Sequence, residues 1–339
     1  DVIKSEIKNP IINKFMMLLI LSAIVIGNAS YEAGNISGGI LGLETIVGEI
    51  RVDLGNYSLN FLSLIVGIIA FVLLYIGNYK FLEKVLVTLV LVMSVSFLIT
   101  AIITKPDIIS ILKGAFILTS PKGSLLTIIG LIGTTVVPYN LFLHASLVKE
   151  KWKSKNDLKY ARKDTIIAVV LGGIVSMCII ISAAAVQTSD VNNAADLAKG
   201  LEPLFGSFSK YFLAIGLFAA GITSAITAPL AAAFVATGCL GWSTKMTSKR
   251  FKGVWMFILI LGVLSSSSGI KSIEIIKFAQ VTNGLLLPLI AGFLIWIMNK
   301  SSILGVNKNT KIKNIIGLLI LAVTLFLGTK SILGVFNLL

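Results

Sequence analysis

The sequence predicts an all-α integral membrane protein, and three observations carry that prediction. Apolar residues make up 56% of the chain and charged residues only 13%, whereas a soluble domain averages about 25% charged. Apolar runs approaching or exceeding the roughly 18 residues that cross a bilayer recur from end to end. The basic residues collect in short polar intervals between those runs, and mostly in every second interval.

The apolar segments number nine: Ile11–Leu43, Phe61–Ile76, Val85–Ile103, Leu125–Val148, Ile166–Val186, Phe212–Leu240, Val254–Leu264, Phe278–Met298 and Ile315–Leu333. The first is long and turns polar at its far end; the seventh is short. Ile108–Leu118 is short enough to lie as an interfacial helix between the third and fourth. One alternating set of intervals holds Lys4, Lys8 and Lys14, then Lys80 and Lys84, then the bases of Lys149–Lys163, Lys245–Lys252 and Lys300–Lys313. Positive charge marks the cytoplasmic side, which predicts a multi-pass plasma-membrane protein with its N-terminus cytoplasmic and its C-terminus outside. The longest polar intervals, Lys149–Asp164 and Gln187–Pro203, are too short to be domains. Residues 1–339 therefore read as a single transmembrane domain in a lipid bilayer.

The same distribution excludes other classes. A net charge of +14 spread over loops as topology signals does not suggest a nucleic-acid partner. Cys178 and Cys239 both lie inside apolar runs and read as small core residues, not as a disulfide or zinc site. The chain has one histidine and no His-Glu-x-x-His or Gly-x-Ser-x-Gly motif, so it is not expected to be an enzyme. No resident cofactor and no obligate protein partner are expected.

Polar groups inside the apolar runs are the functional candidates. In GTTVVPYNLFLHASLV (Gly133–Val148), Pro138 has no N–H to donate, and its ring clashes with the carbonyl of Thr134. An orphaned carbonyl survives in a membrane only where protein or a water-filled cavity covers it. Asn140 adds an amide oxygen beyond the break, and His144 follows four residues later on the same face. A kink that serves packing alone fits the bare pattern equally well, but broken helices at the membrane midplane recur as ion sites in transporters. Glu32, in NASYEAGNISGG, is a carboxylate within a helix and so a candidate by its cost alone, unless the helix has already reached the interface there. In AQVTNGLLLP, Gln280 and Asn283 are polar where Pro288 frees the carbonyl of Gly284.

These residues carry a resemblance. VVPYNLFLHASLV resembles the sixth helix of the NRAMP family of divalent-metal transporters, in which Met-Pro-His-Asn precedes Leu-Tyr-Leu-His. Pro138, Asn140, Leu141, Leu143 and His144 match; Val137 stands at the methionine and Tyr139 at the first histidine. DLAKGLEPLFG and AAGITSAITAPLA resemble the family's segments around helix eight. AQVTNGLLLP resembles helix ten and places Gln280 on the family's glutamine. NASYEAG resembles helix three, with Glu32 kept and Ala29 replacing an aspartate.

The resemblance implies a LeuT-like inverted-repeat fold and transport by alternating access. It aligns the nine segments with family helices three to eleven, and no Asp-Pro-Gly motif of helix one occurs. This leads to the expectation that the chain lacks the first two helices. By the resemblance the transported ion is held by Thr134, Asn140 and Gln280, with Val137, Pro138, Tyr139, His144, Glu32 and Asn283 lining or gating its path.

A thioether selects soft transition ions, and Val137 supplies no donor, so the remaining oxygens suit a hard, partly hydrated cation. The substrate expected is therefore Mg²⁺, with Mn²⁺ second, as in the NRAMP-related magnesium transporters. With Ala29 and Tyr139 in place of titratable groups, transport is expected not to be tightly proton-coupled. The competing readings are a proton-coupled Mn²⁺/Fe²⁺ symporter of the same family and an amino-acid transporter of the same fold.

Overall fold

Helices occupy every apolar segment named above among the residues described by the computed structural model. Those residues are 6–54, 57–77, 80–117, 119, 123–135, 141, 143–145, 148, 151–185 and 194–335. In order they are α1 (Pro10–Val47), α2 (Phe61–Ile76), α3 (Lys80–Ile103), α4 (Ile108–Phe116), α5 (Leu125–Thr135), α6 (Leu158–Ala185), α7 (Ser209–Leu240), α8 (Lys249–Ser266), α9 (Ser272–Met298) and α10 (Lys311–Val335). Single turns of helix at Ala194–Ala198, Glu202–Phe205 and Ser301–Leu304 join them. Among the described residues five helical stretches are long and apolar enough to span a bilayer, and a sixth is formed if the bent pair Ser301–Asn307 and Lys311–Phe326 counts as one. The chain is thus a mostly helical, multi-pass membrane protein. The spans that fall short include the 16-residue α2 and α8, which carries Lys249, Arg250 and Lys252 in its first turn.

The all-α expectation is corrected by a hairpin. β1 (Arg51–Leu54) and β2 (Tyr57–Asn60) pair antiparallel, with Arg51 opposite Asn60 and Leu54 opposite Tyr57. The two residues between them are Gly55 and Asn56, a two-residue turn signature that the apolar-segment reading passed over. The hairpin seals one end of the bundle. Arg51 Nη1 donates to the carbonyl of Gly269 (2.9 Å), and Asn60 Nδ2 donates to Glu44 Oε1 (2.9 Å). Ser63 and Ser267 join their hydroxyls beneath it.

α1 is the central post. It begins at Asn9, whose side chain accepts from the N–H groups of Ile11 and Ile12, and it packs against α7, α9, α8 and α2. Water supplies no driving force between helices in lipid, so close packing through small residues must hold them. The α1–α7 crossing shows this directly. A Cβ on Gly221 would lie 2.4 Å from the backbone nitrogen of Gly39, and one on Gly42 would lie 2.6 Å from the carbonyl of Ala214. Further along α7, Ala228, Ala231, Ala232 and Ala233 are fully buried around Pro229, which the helix accommodates without ending. Around this crossing Ile36, Ile40, Val66, Ile222, Phe251 and Trp255 form the core. The outward faces stay apolar, as with Ile166, Val169 and Val170 of α6, each more than half exposed. That pattern fits a lipid solvent.

Candidate ion site

α5 leads to the predicted break and lies directly on α9. A Cβ on Gly133 would sit 2.3 Å from the carbonyl oxygen of Gln280 and 2.4 Å from the backbone nitrogen of Gly284. A Cβ on Gly284 would in turn sit 2.6 Å from the carbonyl of Ile129. One turn earlier, Gly130 faces the Gln280 side chain, whose Oε1 lies 3.5 Å from the position a Cβ would take. Backbone therefore meets backbone, and Thr134 follows the point of contact with Gln280 by one residue. α9 runs unbroken through Pro288. Asn283 lies on this helix, but its side chain falls outside the described residues. Val137, Pro138, Tyr139 and Asn140 also fall outside them.

Gln280 borders a cavity of about 180 Å³ between α1, α7 and α9. Its polar lining comes from Tyr31 and Asn35 on α1, Ser224 on α7 and Gln280 on α9. The closeness that shapes it is again due to glycine: a Cβ on Gly34 would touch the Cβ of Ala279 at 3.0 Å. The lining is neutral and mostly apolar, and these four side chains are its polar part. Among the described residues no group of three or more His, Cys, Asp or Glu side chains is placed to hold a metal. Any cation here would be met by amide, hydroxyl and carbonyl oxygens.

Glu32 and His144 stand apart from this cavity. Glu32 is completely buried inside the bundle. It packs on α8, where a Cβ on Gly262 would lie 2.4 Å from its Cγ. Its Oε2 accepts from Asn35 Nδ2 (3.3 Å), while its Oε1 has no hydrogen-bond partner among the described residues. Glu32 thus reaches the cavity only through Asn35. His144 is exposed, with its Nε2 3.1 Å from Thr165 Oγ1 on α6. Cys178 and Cys239 are half-buried and not joined in a disulfide.

Sequence reasoning missed Tyr31, Asn35 and Ser224. Asn35 was detectable as a second amide three residues after Glu32 on a glycine-rich face, where small residues mark a helix crossing.

A family model described as natural resistance-associated macrophage protein-like matches residues 3–334. The chain belongs to the NRAMP family. This is a family of transporters, so the expectation that the chain is not an enzyme holds. This NRAMP chain is 25% identical over 303 residues to the divalent metal cation transporter MntH of Caldanaerobacter subterraneus, covering 86% of the chain and 69% of that protein. It is 30% identical over 244 residues to MntH of Bradyrhizobium diazoefficiens, covering 67% of the chain and 54% of that protein. In fold it is similar to a crystal structure of a mutant Eremococcus coleocola manganese transporter, with a TM-score of 0.64 and 16% identity, covering 95% of the chain and 73% of that structure. The chain thus spans roughly half to three-quarters of the length of these relatives. None of these relatives singles out a magnesium-specific branch, so the membership is in NRAMP at large.

Proposed function

We propose that the chain acts as a divalent metal-ion transporter working by alternating access, with the ion held where α5 meets α9 and Mn²⁺ the favoured substrate. The observation that supports this most is the contact of Gly133 with the Gln280 carbonyl and the Gly284 amide. Thr134 is the next residue after that contact, and Gln280 is 146 positions from it in sequence. Thr134 would offer the carbonyl that Pro138 frees, Gln280 and Asn140 their amide oxygens. Retained waters would complete the shell, which suits ions that keep several of them. Val137, Tyr139, Asn283, His144 and Glu32 are proposed to line or gate the path, Glu32 through Asn35.

Mn²⁺ takes precedence over Mg²⁺ because the similar proteins carry names for divalent metal cations generally or for manganese. Mg²⁺ remains the second reading on one ground: Val137 offers no sulfur where a soft ion would want one. The proposal includes a single transmembrane domain, a plasma-membrane location and a cytoplasmic Lys4–Lys14 end.

The test is ion uptake by the intact protein in liposomes, with Mn²⁺, Mg²⁺ and an amino-acid mixture offered separately. Uptake of Mn²⁺ that falls at least tenfold in Gln280→Ala supports the proposal. Uptake of amino acids without divalent ions would overturn it.

A further inference from the structure

Two helices outside the candidate site form a second feature of the surface. α2 and α8 run antiparallel, with Ser63 against Ser267 at one end and Tyr75 against Lys252 at the other. They close most tightly where Gly67 meets Val263, since a Cβ on Gly67 would lie 2.4 Å from Val263 Cγ2. Larger side chains rise on both sides of that contact and leave an open groove of about 210 Å³. Its walls are wholly apolar: Leu64, Ile68 and Phe71 from α2, Leu259, Ile260 and Val263 from α8. Ile68 is 62% exposed and Ile260 55%, so the groove opens outward, to lipid.

The groove has a charged end. Leu64, Gly67, Ile68, Phe71 and Tyr75 are spaced i, i+3, i+4, i+7 and i+11, a single helical stripe. Lys252, Leu259, Ile260 and Val263 form the facing stripe at i, i+7, i+8 and i+11. Both stripes run into the same pair: Lys252 Nζ lies 4.1 Å from the centre of the Tyr75 ring, and that ring stacks on Phe71 at 5.9 Å. Two residues earlier on α8, and turned to another face of it, the Arg250 guanidinium lies 5.1 Å from the Trp242 ring. Residues 241–256 contain Lys245, Lys249, Arg250 and Lys252 and no acidic residue. From Leu64 to Tyr75 the stripe runs about 16 Å at 1.5 Å per residue, close to half of a hydrocarbon core of about 30 Å.

We infer that the α2–α8 groove is a binding site for an anionic phospholipid of the leaflet on the Lys252 side. One acyl chain lies along Leu64–Phe71 and Leu259–Val263. The phosphodiester is held by Lys252, whose ammonium lies over the Tyr75 ring at the end of the groove. Charge complementarity selects this occupant. A zwitterionic lipid brings its own cation to a mouth that Lys252 already makes positive, whereas an anionic headgroup neutralises it.

The test uses the intact protein in liposomes with Ile260→Trp as a reporter, a change at an exposed position that faces the groove. Quenching of the added emission is titrated with brominated phosphatidylglycerol and, separately, with brominated phosphatidylcholine. Half-quenching should need several-fold less phosphatidylglycerol. Adding Lys252→Gln should cut that preference about fivefold, the effect of one base near the surface. Lys252→Arg should retain it, which separates loss of charge from loss of fold. Equal quenching by the two lipids, or a preference unchanged by Lys252→Gln or lost in Lys252→Arg, would overturn the inference. So would emission that no brominated lipid quenches, as expected if a second copy of the chain seals the groove.

Discussion

Replacing Gly133 with alanine places a methyl group in a space the structure does not have. In an isolated helix the change would be favourable by about 0.5–1 kcal/mol, because glycine loses more backbone freedom on folding. Here the new carbon would lie 2.3 Å from the Gln280 carbonyl and 2.4 Å from the Gly284 nitrogen, below the 3.0 Å that real Cβ atoms respect. Both obstacles are backbone atoms of a 27-residue helix, so neither can rotate away. α5 and α9 must then separate by about 1 Å, which forfeits a quarter to a half of the dispersion attraction along the seam. Overpacking of this kind costs about 1–3 kcal/mol, and the rigid obstacles put Gly133→Ala toward the upper end, for a net loss of about 2 kcal/mol. Gly173 on α6 supplies the control, since nothing lies within 4 Å of its absent Cβ. Thermal unfolding of the detergent-solubilised intact protein should show a lowered midpoint for Gly133→Ala and an unchanged or raised one for Gly173→Ala. Equal midpoints would mean that α5 does not rest on α9, and the juxtaposition of Thr134 with Gln280 would go with it.

Other consequences follow from separate contacts. Gly262→Ala should drive Glu32 from its place, because the new Cβ falls 2.4 Å from Glu32 Cγ; in a double-mutant cycle with Glu32→Ala, unfolding should reveal a coupling of about 0.5–3 kcal/mol, and simple additivity would refute the contact. At the start of α4 the Ser110 hydroxyl (2.6 Å) and the Ile109 N–H (3.0 Å) hold the Asp107 carboxyl below the usual carboxylate range. A depressed value means the cap contributes fully above the unfolded value of about 4 and is lost as pH falls through the folded one. Hydrogen exchange of the first-turn amides should therefore accelerate at low pH relative to Asp107→Asn, whose amide caps without titrating; parallel behaviour of the two would contradict this. Val137→Met should raise Cd²⁺ and Mn²⁺ affinity relative to Mg²⁺ by supplying a sulfur donor, as calorimetry can show. An unchanged ratio would mean that residue 137 does not face the ion.

Much of the helical architecture could be read from the sequence because lipid imposes a simple code. The apolar segment Phe61–Ile76 coincides with α2 at both ends, and the structure shows Asn60 capping its start and a left-handed Gly77 its finish. Boundaries slipped where charge enters a helix: α8 begins at Lys249, not Val254, since Ser248 caps it and three bases fit its first turn. The hairpin at Arg51–Asn60 was missed because eight strand residues weigh little beside runs of twenty. Among the candidate ligands, Thr134 and Gln280 are proposed from proline and amide chemistry and the family resemblance, and their helices pack together at Gly133 and Gly284. The environment of Glu32 was not legible. Its neighbour Gly262 is 230 positions away and carries no side chain to announce the contact. The partner of His144, Thr165, lies across a helix pair that no local periodicity encodes.

The measurement that bears most directly on the proposed activity is uptake of radiolabelled Mn²⁺ into liposomes holding the intact protein, with Mg²⁺ as competitor and Gln280→Ala and Gly133→Ala in parallel. If Thr134 and Gln280 share the ion, Mn²⁺ enters, Mg²⁺ in excess slows it, and both variants lose uptake while Gly173→Ala does not. Mn²⁺ uptake that survives Gln280→Ala unchanged would place the ion elsewhere in the protein.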